Sequence, residues 1–153
     1  EPAKVQIKTE PVKPVHATTK PAVQKPAGEA AVVADIMPYM SAKTKGVFVI
    51  HNESATGVTS DLKSFGEALK DTDVLLVTDT VSGVGAIDFA MDDWHVDVAF
   101  AGSQKALMGP PGVSVISLSD KAWKAVEVSA LPKFYFDLKK AKKRKEVDDV
   151  KNA

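Results

Sequence analysis

Four short apolar runs, Val47–Ile50, Val74–Thr78, Val96–Ala101 and Val113–Leu118, constrain the fold of this chain more than any other feature. Each reads as a buried strand bounded by turn residues. Between the first two, Leu62, Phe65, Ala68 and Leu69 recur at helical spacing behind Ser60 and Asp61, residues suited to capping a helix start. After the fourth, Ser119 and Asp120 cap a helix containing Ala122, Trp123 and Val126. Strands alternating with helices or crossover loops give an α/β sheet, not a bundle or a sandwich. The link Gly109-Pro110-Pro111-Gly112 is short, so the last two strands are either crossover-related or antiparallel neighbours.

The flanks differ in texture. Residues 1–27 hold five of the nine prolines, at 2, 11, 14, 21 and 26, interleaved with lysines and few large apolar side chains. That composition predicts a disordered or polyproline-like arm, because it cannot bury enough surface to offset chain entropy. From Gly28, the residues Ala30, Val32, Val33, Ile36, Met37 and Met40 fall near helical spacing, with Pro38 expected to end or kink the helix. The folded unit is read as 28–140, and 141–153 as a charged tail, with Lys139–Lys151 forming a solvated helix.

Composition removes several function classes. A chain of 153 residues is about one domain, and its 20 basic and 20 acidic residues cancel, so no global field draws it to nucleic acid or anionic lipid. There is no cysteine, which excludes disulfides, thiolate metal sites and a thiol nucleophile. No apolar run reaches the ~20 residues of a membrane helix, so no membrane partner is expected and a cytoplasmic location is the expectation. His16, His51 and His95 lack a metal-binding spacing.

Chemistry should collect where three loops leave the carboxyl ends of the first three strands, since the ligand crevice of open α/β sheets lies there. These loops are His51-Asn52-Glu53-Ser54-Ala55-Thr56-Gly57, Asp79-Thr80-Val81-Ser82-Gly83 and Gly102-Ser103-Gln104-Lys105. A lysine and a carboxylate sharing that crevice suggest pyridoxal phosphate. Taken singly, a lysine after a strand is ordinarily a solvated residue and an aspartate at a strand end a turn residue. Gly83-Val84-Gly85 lacks the third glycine of a dinucleotide loop. Ser103 with Lys105 could suggest a serine–lysine dyad, but nothing else supports a hydrolase. Trp94 and Trp123 are read as packing residues.

The segments HNESATGV, VTDTVSGVGAIDFAMDDWHVDV and GSQKALMGPPG, in this order and at these separations, resemble the class V aminotransferases of the pyridoxal-phosphate fold-type I group, especially the alanine–glyoxylate and serine–glyoxylate enzymes. The resemblance runs from about Lys45 to about Lys140 and includes FYFDLKK near its end. It implies part of a large domain built as a three-layer α/β/α sandwich with a mostly parallel sheet. Lys105 matches the lysine that forms the Schiff base and moves the proton. Asp79 matches the carboxylate paired with the pyridinium nitrogen, whose loss should harm catalysis more than binding. Val81 matches the residue beneath the ring, Ser54 a hydroxyl near the ring oxygen and Gln104 a polar contact at the phosphate end. On the same resemblance Ser103 is expected to add a phosphate hydrogen bond, and Thr56 is a weaker candidate for a cofactor contact. Ala55, Gly83 and His95 depart from the hydroxyl residue, serine and glycine common in the family.

The resemblance also implies a homodimer in the full-length form and, as substrates, a small amino acid such as alanine or serine with glyoxylate or another 2-oxo acid. The family's phosphate-cradling loop and ring-stacking aromatic are not recognisable before residue 45, and Arg144, the one arginine, matches no substrate-binding motif. The isolated chain is therefore expected to bind the cofactor no tighter than about micromolar. It is also expected to self-associate through exposed apolar surface. The alternative is a truncated, non-catalytic remnant acting as a scaffold or interaction module.

Overall fold

The computed structural model describes residues 25–151. The expectation for the arm falls, for residues 1–24, outside the described residues. The described chain begins with a short helix α1 (Val33–Ile36), continued by a 3-10 turn over Met37–Tyr39. Pro38 lies in that turn, where a fixed φ and a missing N–H end the α-helix after one turn.

Four strands, β1 (Gly46–Ile50), β4 (Leu75–Asp79), β5 (Val98–Gly102) and β6 (Ser114–Leu118), form one sheet in that order. The pairs β1/β4 and β4/β5 are parallel, and β5/β6 is antiparallel. The open question about the last pair is thus settled by distance along the chain. Residues 103–113 are too few for the dozen or more that a parallel crossover takes, so the chain turns back at the same sheet edge. A two-stranded hairpin, β2 (Asn52–Glu53) with β3 (Val58–Thr59), interrupts the first loop and was not anticipated from the sequence.

Helix α2 (Leu62–Leu69) crosses between β1 and β4. Asp61 caps it, its carboxylate accepting from the Ser64 N–H at 3.1 Å. Leu62, Phe65 and Leu69 are almost fully buried, each contributing about 1.5–3 kcal/mol of apolar burial. Ala68, expected on the same face, is exposed, and Gly66 takes the buried position. Helix α3 (Asp120–Val128) is capped by Ser119, whose hydroxyl accepts from Ala122 N–H at 3.1 Å. Helix α4 (Leu138–Lys151) follows, with Lys142 Nζ 4.6 Å from the Trp123 ring centre.

The core joins Val47 and Val49 of β1, Leu76 of β4 and Ala99 of β5 to the apolar face of α2. Alternation sends the intervening residues to the opposite face, where register aligns Ile50, Asp79, Phe100 and Ile116 in one cross-strand row. Phe48 and Ile50 on that face are 79% and 48% exposed, so the described helices cover the other face of the sheet.

Candidate active site

Because β1, β4 and β5 run parallel, the loops after Ile50, Asp79 and Gly102 leave the sheet at one edge. Antiparallel β6 starts at that same edge, opposite Gly102. Backbone hydrogen bonds fasten the loops together. His51 N–H donates to Asp79 C=O at 2.9 Å, Thr80 N–H to Phe100 C=O at 3.0 Å, and Ala106 N–H to Val81 C=O at 3.4 Å.

Lys105 is brought to Ser54 across 51 residues of sequence. Its Nζ donates to Ser54 Oγ and to Ser82 Oγ, each at 3.4 Å, and those two hydroxyl oxygens lie 2.5 Å apart. Asp79 ends β4 half-buried, and its Oδ1 accepts from the Val81 N–H at 2.9 Å, which fixes the half-buried Val81 two residues further on. Gln104 folds back over the end of β5, where a Cβ on Gly102 would meet its Oε1 at 2.9 Å.

Two expected contacts are placed elsewhere. Ser103 directs its hydroxyl to Pro110 C=O at 2.5 Å and receives the Val113 N–H at 3.4 Å, so it closes the β5–β6 turn and does not reach toward Lys105. Thr56 sits at the exposed hairpin tip, with Oγ1 accepting from Val58 N–H at 3.4 Å. It lines a groove of about 1120 Å³ along the outer edge of β1 that includes Ile36, Val47, Val49 and Phe65 but neither Lys105 nor Asp79.

Two further residues, Ser82 and His51, meet the crevice loops without belonging to any expected contact. Ser82 carries a hydroxyl one residue past Val81, and that adjacency is the signal the sequence offers for it. His51 is 1% exposed and packs against Phe89 and Trp94, with ring centres 5.5 and 6.1 Å away. Its Nδ1 has no hydrogen-bond partner among the described residues and faces Gly83, where an added Cβ would stand 2.4 Å away. The imidazole therefore accounts for glycine at 83. His95 takes a left-handed backbone (φ 51°), the conformation that suits glycine, and its Nε2 lies 3.2 Å from the Glu67 carboxylate.

Burial without a charge partner pushes the His51 pKa below its ordinary value of 6.5. The unfolded chain then binds more protons than the folded one just below that pH, so stability is full above about pH 6.5 and falls as pH drops through the window beneath it. One proton limits the slope to about 1.4 kcal/mol per pH unit. His51→Phe should flatten this portion of the stability profile measured by urea unfolding. Parallel profiles for the two proteins would show that His51 is not the group responsible.

Among the described residues no helix is long and apolar enough to cross a membrane, and no group of His, Asp or Glu side chains could hold a metal. The family model for class-V aminotransferases matches residues 12–143. The L-aspartate–glyoxylate aminotransferase of Paracoccus denitrificans is 43% identical over 124 residues, 76% of this chain and 31% of that protein. The serine–glyoxylate aminotransferase of Methylorubrum extorquens is 45% identical over 107 residues, 65% of this chain and 27% of that protein. Among solved structures, the alanine–glyoxylate aminotransferase of Nostoc sp. superposes with a TM-score of 0.67 at 28% identity, covering 74% of this chain and 30% of that one. The chain thus spans less than a third of the length of each of these proteins.

Proposed function

Since the chain belongs to the class-V aminotransferase family, we propose that it is the cofactor-bearing portion of a pyridoxal-phosphate aminotransferase that moves an amino group from a small amino acid to glyoxylate or another 2-oxo acid. The observation that carries this reading is the convergence of Lys105 on the loops after β1 and β4. Relatives named for glyoxylate support the acceptor, and those named for serine and alanine support a small donor, beside one named for L-aspartate.

The residues present fit the cofactor at its ring end. Lys105 offers a primary amine, Asp79 a carboxylate at the crevice edge, Val81 an apolar surface and Ser54 a hydroxyl beside the amine. Bound there, the cofactor supplies an electron sink that stabilises negative charge at the substrate Cα. Lys105 would hold the cofactor at its aldehyde carbon and, once displaced, carry a proton at Nζ to and from the reacting carbon. Asp79 would keep a proton on the pyridine nitrogen through a charge-assisted hydrogen bond. Gln104 would contact the phosphate end, where Ser103 has its hydroxyl committed to Pro110. The substrate carboxylate needs a guanidinium fork, and Arg144 lies exposed on α4. That anchor is assigned to the longer protein, together with the homodimer in which it would act.

The test is to incubate the chain with pyridoxal phosphate, reduce with borohydride and map the modified lysines by peptide mass spectrometry. Labelling should concentrate at Lys105 and vanish from that peptide in Lys105→Ala. Diffuse labelling of many lysines, unchanged in the variant, would sink the reading and favour a scaffold that keeps the motifs alone.

A further inference from the structure

We propose that Ser82 is a positioning residue for Lys105, its hydroxyl acting with that of Ser54 to hold the lysine nitrogen in the crevice in both protonation states. The inference rests on Lys105 being the reactive amine and assigns a role to a residue that reading leaves unused.

The neighbouring hydroxyls have other partners. Thr80 donates to Phe100 C=O at 2.8 Å and Ser103 to Pro110 C=O at 2.5 Å. Among the described residues, those left within reach of Lys105 Nζ are Ser54 and Ser82. The two are not equivalent. Ser54 stands exposed on the hairpin, whereas Ser82 is half-buried in a turn closed by Gly83 N–H and Val84 N–H donating to Thr80 C=O at 2.9 and 3.0 Å. The Ser82 C=O also accepts from Asn52 Nδ2 at 3.4 Å, which ties the turn to β2. Ser82 is thus the rigidly mounted member of the pair.

The donor count explains why two hydroxyls serve better than one. An ammonium has three N–H donors and no acceptor, while the neutral amine adds a lone pair. One O–H of the pair lies between the two oxygens and the other is free to turn. Facing the ammonium, both oxygens accept. Facing the amine, the free O–H donates to the nitrogen while the other oxygen still accepts. A lysine that alternates between these states keeps its place throughout, which proton transfer to a fixed carbon requires.

The full chain carrying lysine labelled with ¹³C at Cε tests this by NMR without any cofactor. The Lys105 resonance, assigned by its loss in Lys105→Ala, should lie apart from those of solvated lysines. It should join them in Ser82→Ala and stay apart in Ser82→Thr, which keeps the hydroxyl, while the other lysine resonances stay put. A Lys105 resonance already among the solvated lysines in the unaltered chain, or one unmoved by Ser82→Ala, would overturn the proposal. The first of these outcomes needs no variant to fold. Borohydride-trapped pyridoxal phosphate at Lys105 should fall about three- to tenfold in Ser82→Ala, the effect of one hydrogen bond. If trapping misses Lys105 in the unaltered chain while the NMR contrast holds, the cofactor reading fails and the positioning role stands. Equal trapping with no NMR contrast fails the role and leaves the reading intact.

Discussion

Gly66→Ala is expected to lower stability by about 3 kcal/mol or more, the upper end of overpacking costs, or to prevent folding. Helix propensity alone predicts the opposite sign, since alanine is favoured over glycine inside a helix by about 1 kcal/mol. The difference lies in what α2 packs against. A Cβ on Gly66 would stand 1.7 Å from the Trp94 carbonyl oxygen and 2.8 Å from its carbon, so the obstacle is backbone that no rotamer change can clear. Moving that turn would pull Trp94 from Phe89 and His51, whose ring centres lie 5.8 and 6.1 Å away, and would disturb the buried Val96. It would therefore loosen the loop that follows β1, and the site with it. Urea unfolding followed by tryptophan fluorescence reads the effect. Gly57→Ala is the control, because Gly57 (φ 72°) has open space around it and should show only a left-handed penalty of about 1–2 kcal/mol. A Gly66→Ala midpoint equal to or above that of the unaltered chain would mean that α2 does not rest on the Trp94 backbone.

The same position shows where sequence periodicity stops. Leu62, Phe65 and Leu69 are apolar at helical spacing and are buried as expected, and Asp61 and Ser119 cap the helices they precede. Those features are local, and local chemistry fixes them. Ala68 continues the apolar pattern yet faces solvent, while Gly66 is buried because a carbonyl from 28 residues away occupies the space beside it. Nothing in a helical repeat encodes that approach. The hairpin β2/β3 was illegible for a related reason, as strands of two residues carry no alternation to read.

The crevice divides along the same line. That the positions of Lys105 and Asp79 lie at one sheet edge was legible, because a parallel sheet sends strand ends there, and the β4/β5 register places Asp79 beside Phe100, two residues before Gly102. Ser82 and His51 were not, since their contacts run between loops. His51 looked like one polar residue among several, but its ring fills the space above Gly83 and closes the core against Phe89. Ser103 shows the converse. Its place in the motif suggested a ligand contact, whereas the tight turn through Pro110 gave its hydroxyl a nearer partner.

Asp97→Ala should be the costliest side-chain truncation, about 3–5 kcal/mol, because it strips the partner from a buried charge network. Asp97 is 4% exposed at the amino edge of the sheet, opposite the crevice. Its Oδ2 accepts from Leu76 N–H at 2.9 Å and lies 3.0 Å from Lys121 Nζ, while Oδ1 accepts from Ser119 Oγ–H at 2.7 Å. Its own N–H donates to Leu76 C=O and its C=O accepts from Ser119 N–H, so one residue locks the starts of β4 and β5 to the end of β6. Alanine would leave a buried backbone donor and a hydroxyl without this acceptor and would break the ion pair with Lys121, whose Nζ keeps the Leu69 C=O at 3.4 Å. Lys121→Met alone should cost less, since the lysine side chain is 28% exposed and the carboxylate keeps its other two donors. In the double variant the penalty should fall below the sum of the two, because the ion pair lost in each single variant can be lost only once. Asn at 97 should recover part of the loss by keeping an acceptor for Leu76 N–H. The consequence reaches the other edge of the sheet. The β4/β5 register fixed beside Asp97 sets Asp79 opposite Phe100, two residues before the loop that carries Lys105, and a one-residue slip would send the Asp79 side chain to the wrong face. Destabilisation should therefore appear together with loss of selective labelling at Lys105 under conditions where the chain is still folded by circular dichroism. Full stability of Asp97→Ala in urea would show that the three donors find water in place of the carboxylate and that the register is held elsewhere.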